Sequence, residues 1–112
     1  MLEVNYFYLG RLARKNSSPL KAVGAFRTAL ELIENKLRAK GVRNEETRHF
    51  WDNLRVKIYY KMSKCFRELS DLKQQVDFED RALHEAARIG NKKLEYYIRR
   101  KVQFYEAKVR FR

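Results

Sequence analysis

Apolar residues recur at three- and four-residue steps through almost the whole chain, the signature of helices with one buried face. Val23, Phe26, Leu30, Ile33 and Leu37 form one such stripe and predict a helix over about 18–40. Trp51, Leu54, Ile58, Met62, Cys65 or Phe66, and Leu69 form a second, over about 45–69. Leu72, Val76, Leu83 and Ala86, with Phe78, Ala82 and Ile89 beside them, mark a third over about 72–89. Leu94, Ile98, Val102, Tyr105 and Val109 mark a fourth over about 92–110. Upstream, Tyr6, Leu9, Leu12 and Ala13 predict a shorter opening helix over about 2–15.

The breakers between these stripes are of types that end one helix and begin the next. Ser17-Ser18-Pro19 offers an N-cap and then a proline at the first helical position, where its missing N–H costs nothing. Gly41 suits a left-handed C-terminal cap, and Asn44 can cap the following helix with Glu45 and Glu46 at its positive end. Leu69-Ser70-Asp71 reads as a tight turn, and Gly90-Asn91 closes one helix and caps another. β-Branched residues are sparse and never alternate, so no strand is predicted. Short connections imply antiparallel neighbours. The expected architecture is a single all-α domain over 1–112, of about five antiparallel helices stacked as hairpins.

Comparing the chain with itself brings out a repeated arrangement of small and aromatic residues. Tyr6, Leu9, Gly10 and Ala13 are followed by Ala22, Phe26 and Ala29; a weaker copy runs Tyr59, Met62, Ser63, Phe66, then Gln75, Glu79 and Ala82. Over about 3–36 and 56–89 the chain resembles a tetratricopeptide repeat, degenerate in its second copy. Gln75 replaces a small residue there, Glu79 stands where an aromatic belongs, and Phe78 comes one position early. The two copies are also further apart than that family's repeat length. The same residues suit another small helical bundle, and both architectures stay open. The resemblance implies inner helices lining a concave groove that holds an extended peptide or a partner helix.

Charge adds a second theme. Lys and Arg number 26 against 14 Asp and Glu, a net charge of +12. Residues 92–112 carry eight basic and two acidic side chains, and residues 53–67 carry five basic and none acidic. Such an excess biases encounters toward acidic proteins or polyanions. No apolar run approaches the roughly 20 residues of a bilayer span, so no membrane contact is expected. The first residues lack the basic and apolar regions of a secretory signal, and Cys65 is the single cysteine. An intracellular, by default cytoplasmic, protein is expected.

Catalytic chemistry finds no support in the residues. His49 and His84 are far apart in sequence, no metal-ligand spacing occurs, and no Gly-rich loop is present, so neither cofactor, metal nor small-molecule substrate is expected. Both histidines read as surface residues, Cys65 as a buried thiol, and Gly10 and Gly24 as sites of close helix approach. The carboxylate pairs Glu45-Glu46 and Glu79-Asp80 read as a helix start and a solvated face.

Two faces read as binding surfaces. Lys57, Lys61 and Lys64, with Tyr60 and Arg67 adjacent, form a basic ridge on the third helix, and Arg11, Arg14 and Lys15 extend it if the first helix lies alongside. On the last helix Tyr97, Phe104 and Phe111 form a second, heptad-spaced stripe flanked by Lys93, Arg100 and Lys108. It is a candidate edge for a partner or a second copy of the chain. The function expected is a non-enzymatic interaction or scaffold module holding an acidic protein segment. The alternative is an RNA- or DNA-binding protein or ribonucleoprotein subunit that meets phosphates through Lys and Arg.

Overall fold

A computed structural model describes residues 2–39 and 44–110. It contains five α-helices: α1 Leu2–Lys15, α2 Pro19–Arg38, α3 Glu45–Glu68, α4 Leu72–Arg88 and α5 Lys92–Arg110. No strand occurs among the described residues, and no helix there is long and apolar enough to cross a membrane. Each helix packs against the next in sequence, giving a zigzag of hairpins with extents of 50 × 29 × 20 Å.

Three of the four connections are one motif used three times. At the end of α1, Ser18 N–H donates to Ala13 O and Ser17 N–H to Arg14 O; Asp71 to Phe66 with Ser70 to Arg67, and Asn91 to Ala86 with Gly90 to Ala87, repeat the pattern. This crossed pair satisfies carbonyls that a helix end leaves open. It requires a left-handed residue, supplied by Ser17 (φ 61°), Ser70 (φ 59°) and Gly90 (φ 73°). The very next residue caps the following helix. Asp71 accepts from Gln74 N–H and Asn91 from Leu94 N–H, whereas Ser18 relies on Pro19 behind it and makes no side-chain cap bond. The helix ends accordingly fall a residue or two short of the sequence expectation, with Leu69 and Ile89 as caps rather than helical residues. Asn44 caps α3 by accepting from Glu46 N–H at 2.8 Å; Gly41, the expected cap of α2, lies outside the described residues.

The core runs through the middle of the stack. Val23, Phe26, Leu30 and Ile33 of α2 meet α3, which is buried around most of its circumference: Trp51, Leu54, Val56, Ile58, Tyr59, Met62, Cys65 and Phe66 all face protein. Phe66 stacks on Phe78 of α4 at 5.5 Å, and Ala82 and Ala86 let α4 come close. Ile98 of α5 is fully buried, with Leu94 and Val102 half-buried beside it. Each fully buried side chain of this size contributes about 1.5–3 kcal/mol.

Two expected stripes are corrected. On α1 the inward face is Glu3, Phe7 and Gly10, while Leu9 and Leu12 are exposed, because Gly10 is the position at which Phe26 can enter. On α4 the inward face is Gln75, Phe78, Glu79, Ala82 and Ala86, leaving Leu72 and Val76 outside. Glu79 is therefore not on a solvated face, although Asp80 is. Burial raises its carboxyl above the usual range, an effect that a hydrogen bond from Gln75 and the nearby Arg67 offset only in part. Gly24 is exposed and has no atom near the place a Cβ would occupy, so close approach does not explain it. Among the described residues no group of three His, Cys, Asp or Glu side chains comes together, and His49 and His84 are exposed. Burial pushes the Cys65 thiol up to about 11, which makes it a poor nucleophile at neutral pH.

Candidate binding groove

The three odd-numbered helices share a concave face. Phe7, Tyr8 and Arg11 of α1, Lys57, Tyr60 and Lys61 of α3, and Leu94 and Tyr97 of α5 surround a groove of about 390 Å³. Beside it, Tyr8, Arg11, Leu12, Arg14, Lys15 and Lys61 line a second recess. Lys61 borders both, so the ridge on α3 and the basic residues of α1 form one continuous surface. Leu12, lost from the core, has its place here.

Spacing along α3 explains the ridge. Lys57, Lys61 and Lys64 lie at four- and three-residue steps, on the opposite side from the salt links to α4. Tyr60 supplies the floor between them. Its ring meets Tyr97 of α5 edge to face at 6.2 Å, and the Lys64 ammonium lies 4.7 Å from its centroid. Lys101 lies 5.6 Å from the Tyr97 ring, and the Arg67 guanidinium caps Tyr105 at 4.3 Å. Of these contacts the Arg67–Tyr105 pair and the Tyr60–Tyr97 ring pair join α5 to α3, while Lys64 and Lys101 each lie near a ring of their own helix.

Charge in the groove is poorly balanced. Among the described residues no carboxylate comes within ion-pair distance of Lys57, Lys61, Lys64 or Lys101; Arg14 alone of the cluster is paired, with Glu68 at 2.8 Å. Burial and the neighbouring Lys61, Arg14, Arg67 and Lys101 drive the Lys64 ammonium down to about 8. Burial, Arg11 and Arg14 lower Lys61 in the same sense. Burial and Tyr97 raise the Tyr60 phenol to about 12, so it stays protonated.

The acidic residues lie elsewhere. Asp52 and Arg55 of α3 interlock with Glu85 and Arg88 of α4, through Arg55–Glu85 at 3.0 Å and Arg88–Asp52 at 3.5 Å. Glu85 is held below the usual carboxylate range by these two arginines despite its burial. Asp71, Asp77 and Asp80 border a shallow recess on α4 with Lys73 and Val76. The even side of the stack thus neutralises or displays carboxylates, and the odd side gathers ammonium groups.

The candidate residues of the last helix separate. Tyr97 belongs to the groove. Phe104 is 70% exposed and stands outside it, while Arg100 pairs with the neighbouring Tyr96 ring at 5.9 Å. Lys93 and Lys108 are exposed, and Phe111 and the side chain of Val109 lie outside the described residues. Sequence reasoning missed Phe7, Tyr8 and Leu94 as groove walls and Lys101 as a member of the cluster. Only the packing of α1 and α5 beside α3 reveals them. Comparison of the chain with protein families, with characterised proteins and with solved structures finds no significant match.

Proposed function

We propose that the chain is a non-enzymatic binding module whose concave face holds an acidic segment of a protein partner. The observation that carries this reading is the shared groove of α1, α3 and α5, where Arg11, Lys57 and Lys61 stand over an apolar and tyrosine-lined floor. A floor of Phe7, Tyr8, Leu94 and Tyr97 buries side chains of an extended segment, while the unpaired ammonium groups select carboxylates. The tetratricopeptide resemblance supports the same reading, since in that architecture the inner helices line a peptide groove. Tyr60 is buried with the Lys64 ammonium over its ring, which leaves it poorly placed to stack on a base and favours a peptide over a single-stranded nucleic acid.

The second reading, a contact with RNA or DNA, draws on the net charge of +12 and on the exposed Tyr96 and Phe104 beside Arg100. One experiment separates them. The full chain and a Lys57→Glu/Lys61→Glu variant are used as bait in cell extract, with and without nuclease. A protein retained after nuclease and lost from the variant supports the peptide groove. A partner released by nuclease from the unmodified bait supports the nucleic-acid reading.

A further inference from the structure

The two recesses of the concave face adjoin but differ in lining. The smaller, about 390 Å³, is mostly ring surface: Tyr8 of α1 and Tyr97 of α5 remain 56% and 48% exposed in its walls, beside the buried Phe7 and Tyr60. Ligand pockets run from about 300 to 1,000 Å³, so a space at the small end of that range takes one bulky side chain rather than a length of chain. The larger, about 600 Å³, continues along α1, where Arg11, Arg14 and Lys15 surround the exposed Leu12 and Lys61 of α3 joins them. Tyr8, Arg11 and Lys61 border both recesses. Arg14 is held by Glu68, whereas among the described residues Arg11, Lys15, Lys57 and Lys61 have no carboxylate within ion-pair distance.

From this arrangement we propose that the concave face reads a two-part motif in an extended segment. One aromatic side chain enters the smaller recess against Tyr8 and Tyr97, and carboxylates two and four residues to one side of it lie in the larger. Ring walls favour an aromatic anchor, because edge-on and offset ring pairs add to what burial alone contributes. Of the unpaired cations only Lys57 is confined to the smaller recess, so the acids extend to one side of the anchor. Their spacing follows from the helix. Arg11 and Lys15 are four residues apart, about 6 Å along the axis of α1, and alternate side chains of an extended chain point the same way about 7 Å apart. Acids at every second residue therefore keep step with one cation per turn, whereas adjacent acids turn one carboxylate away. The inference rests on the proposed use of this groove for an acidic segment, and adds the composition and register of that segment.

The test is fluorescence anisotropy of the full chain, at neutral pH and constant ionic strength, with labelled peptides. Two carry Phe-Ser-Glu-Ser-Glu and its reverse, and the tighter is the reference. Exchanging its Phe for Ala, or moving its two acids next to one another, is expected to weaken binding about tenfold in each case. Penta-glutamate measures the acidic contribution alone. Tyr97→Ala should abolish the gain from Phe while penta-glutamate still binds, and Lys15→Gln should abolish the preference for alternate acids while the gain from Phe remains. Both substitutions alter exposed side chains, and circular dichroism checks that the helices persist. Lys21→Gln on the exposed side of α2 should change neither. Equal affinities for the Phe and Ala peptides, or a gain from Phe that survives Tyr97→Ala, would overturn the anchor; indifference to the position of the acids would overturn the register. If penta-glutamate binds and is lost from Lys57→Glu/Lys61→Glu while these differences are absent, the motif fails and the acidic-segment reading stands. If no peptide binds, or all bind that double variant as well as the unmodified chain, the reading falls and the motif with it.

Discussion

The ring of Phe26 lies so close to the Cα of Gly10 that a Cβ there would sit 2.5 Å from it. Phe26 is fully buried and cannot withdraw, so the absent side chain of Gly10 is what lets α1 close on α2. Gly10→Ala should lower stability by about 1–3 kcal/mol through overpacking. Gly24→Ala, in open space on α2, should raise it by about 0.5–1 kcal/mol by restricting the unfolded chain. Urea denaturation of the two variants checks both signs.

The repeated turn makes a second pair of opposite effects. Ser17 and Ser70 hold a left-handed conformation that costs a non-glycine residue roughly 1–2 kcal/mol, part of which glycine would recover. Ser70→Gly is expected to shift the urea midpoint upward, and Gly90→Ala to shift it downward by a similar amount. An unchanged midpoint in both would mean that the crossed hydrogen bonds do not close these helices in solution.

Lysine crowding sets a pH dependence of unusual sign. With the Lys64 ammonium at about 8 in the folded chain and 10.5 when free, the unfolded chain holds more protons between those values. Stability then rises with pH across that window, and is flat below it as far as this group is concerned. Lys61 acts in the same direction, under the influence of Arg11 and Arg14. Cys65 opposes from about pH 9 and Tyr60 from about pH 10 upward, because thiol and phenol are both raised in the fold. Urea midpoints measured from pH 7.5 to about 9.5 should climb in the unmodified chain and climb less in Lys64→Gln.

Two residues of α5 should answer differently to truncation. Ile98→Ala empties a fully buried site and is expected to cost about 2–5 kcal/mol. Phe104→Ala removes a ring that is 70% exposed, so folding should change by less than about 0.5 kcal/mol. Thermal melts of both variants, with sedimentation to report assembly, distinguish a ring that packs from one that waits for a partner. A large loss for Phe104→Ala would return it to the core.

Local signals in the sequence sufficed for the helices and their joints, since Ser-Pro, Ser-Asp and Gly-Asn act within a few residues of where they stand. The buried faces of α2 and α3 were legible because apolar stripes there are uninterrupted. On α1 and α4 the exposed Leu9, Leu12, Leu72 and Val76 outweigh polar residues that are buried through pairing, Glu3 with Lys36 at 3.1 Å and Glu79 with Gln75. Hydrophobic periodicity has no means of anticipating a buried carboxylate, whether its partner is on another helix, as for Glu3, or one turn away, as for Glu79. In the groove, the ridge of Lys57, Lys61 and Lys64 follows from helix geometry alone. Its meeting with Tyr97 and Lys101 depends on how α5 settles beside α3, a relation between elements about 40 residues apart that no local pattern encodes.

With lysines collected on the odd side of the stack and aspartates displayed along α4, the molecule is an electric dipole as well as a cation. In the field of an approaching polyanion such a charge distribution experiences a torque that turns its more positive side forward before contact. If the proposed acidic partner binds here, its association rate should fall steeply as salt is added while its rate of release changes little.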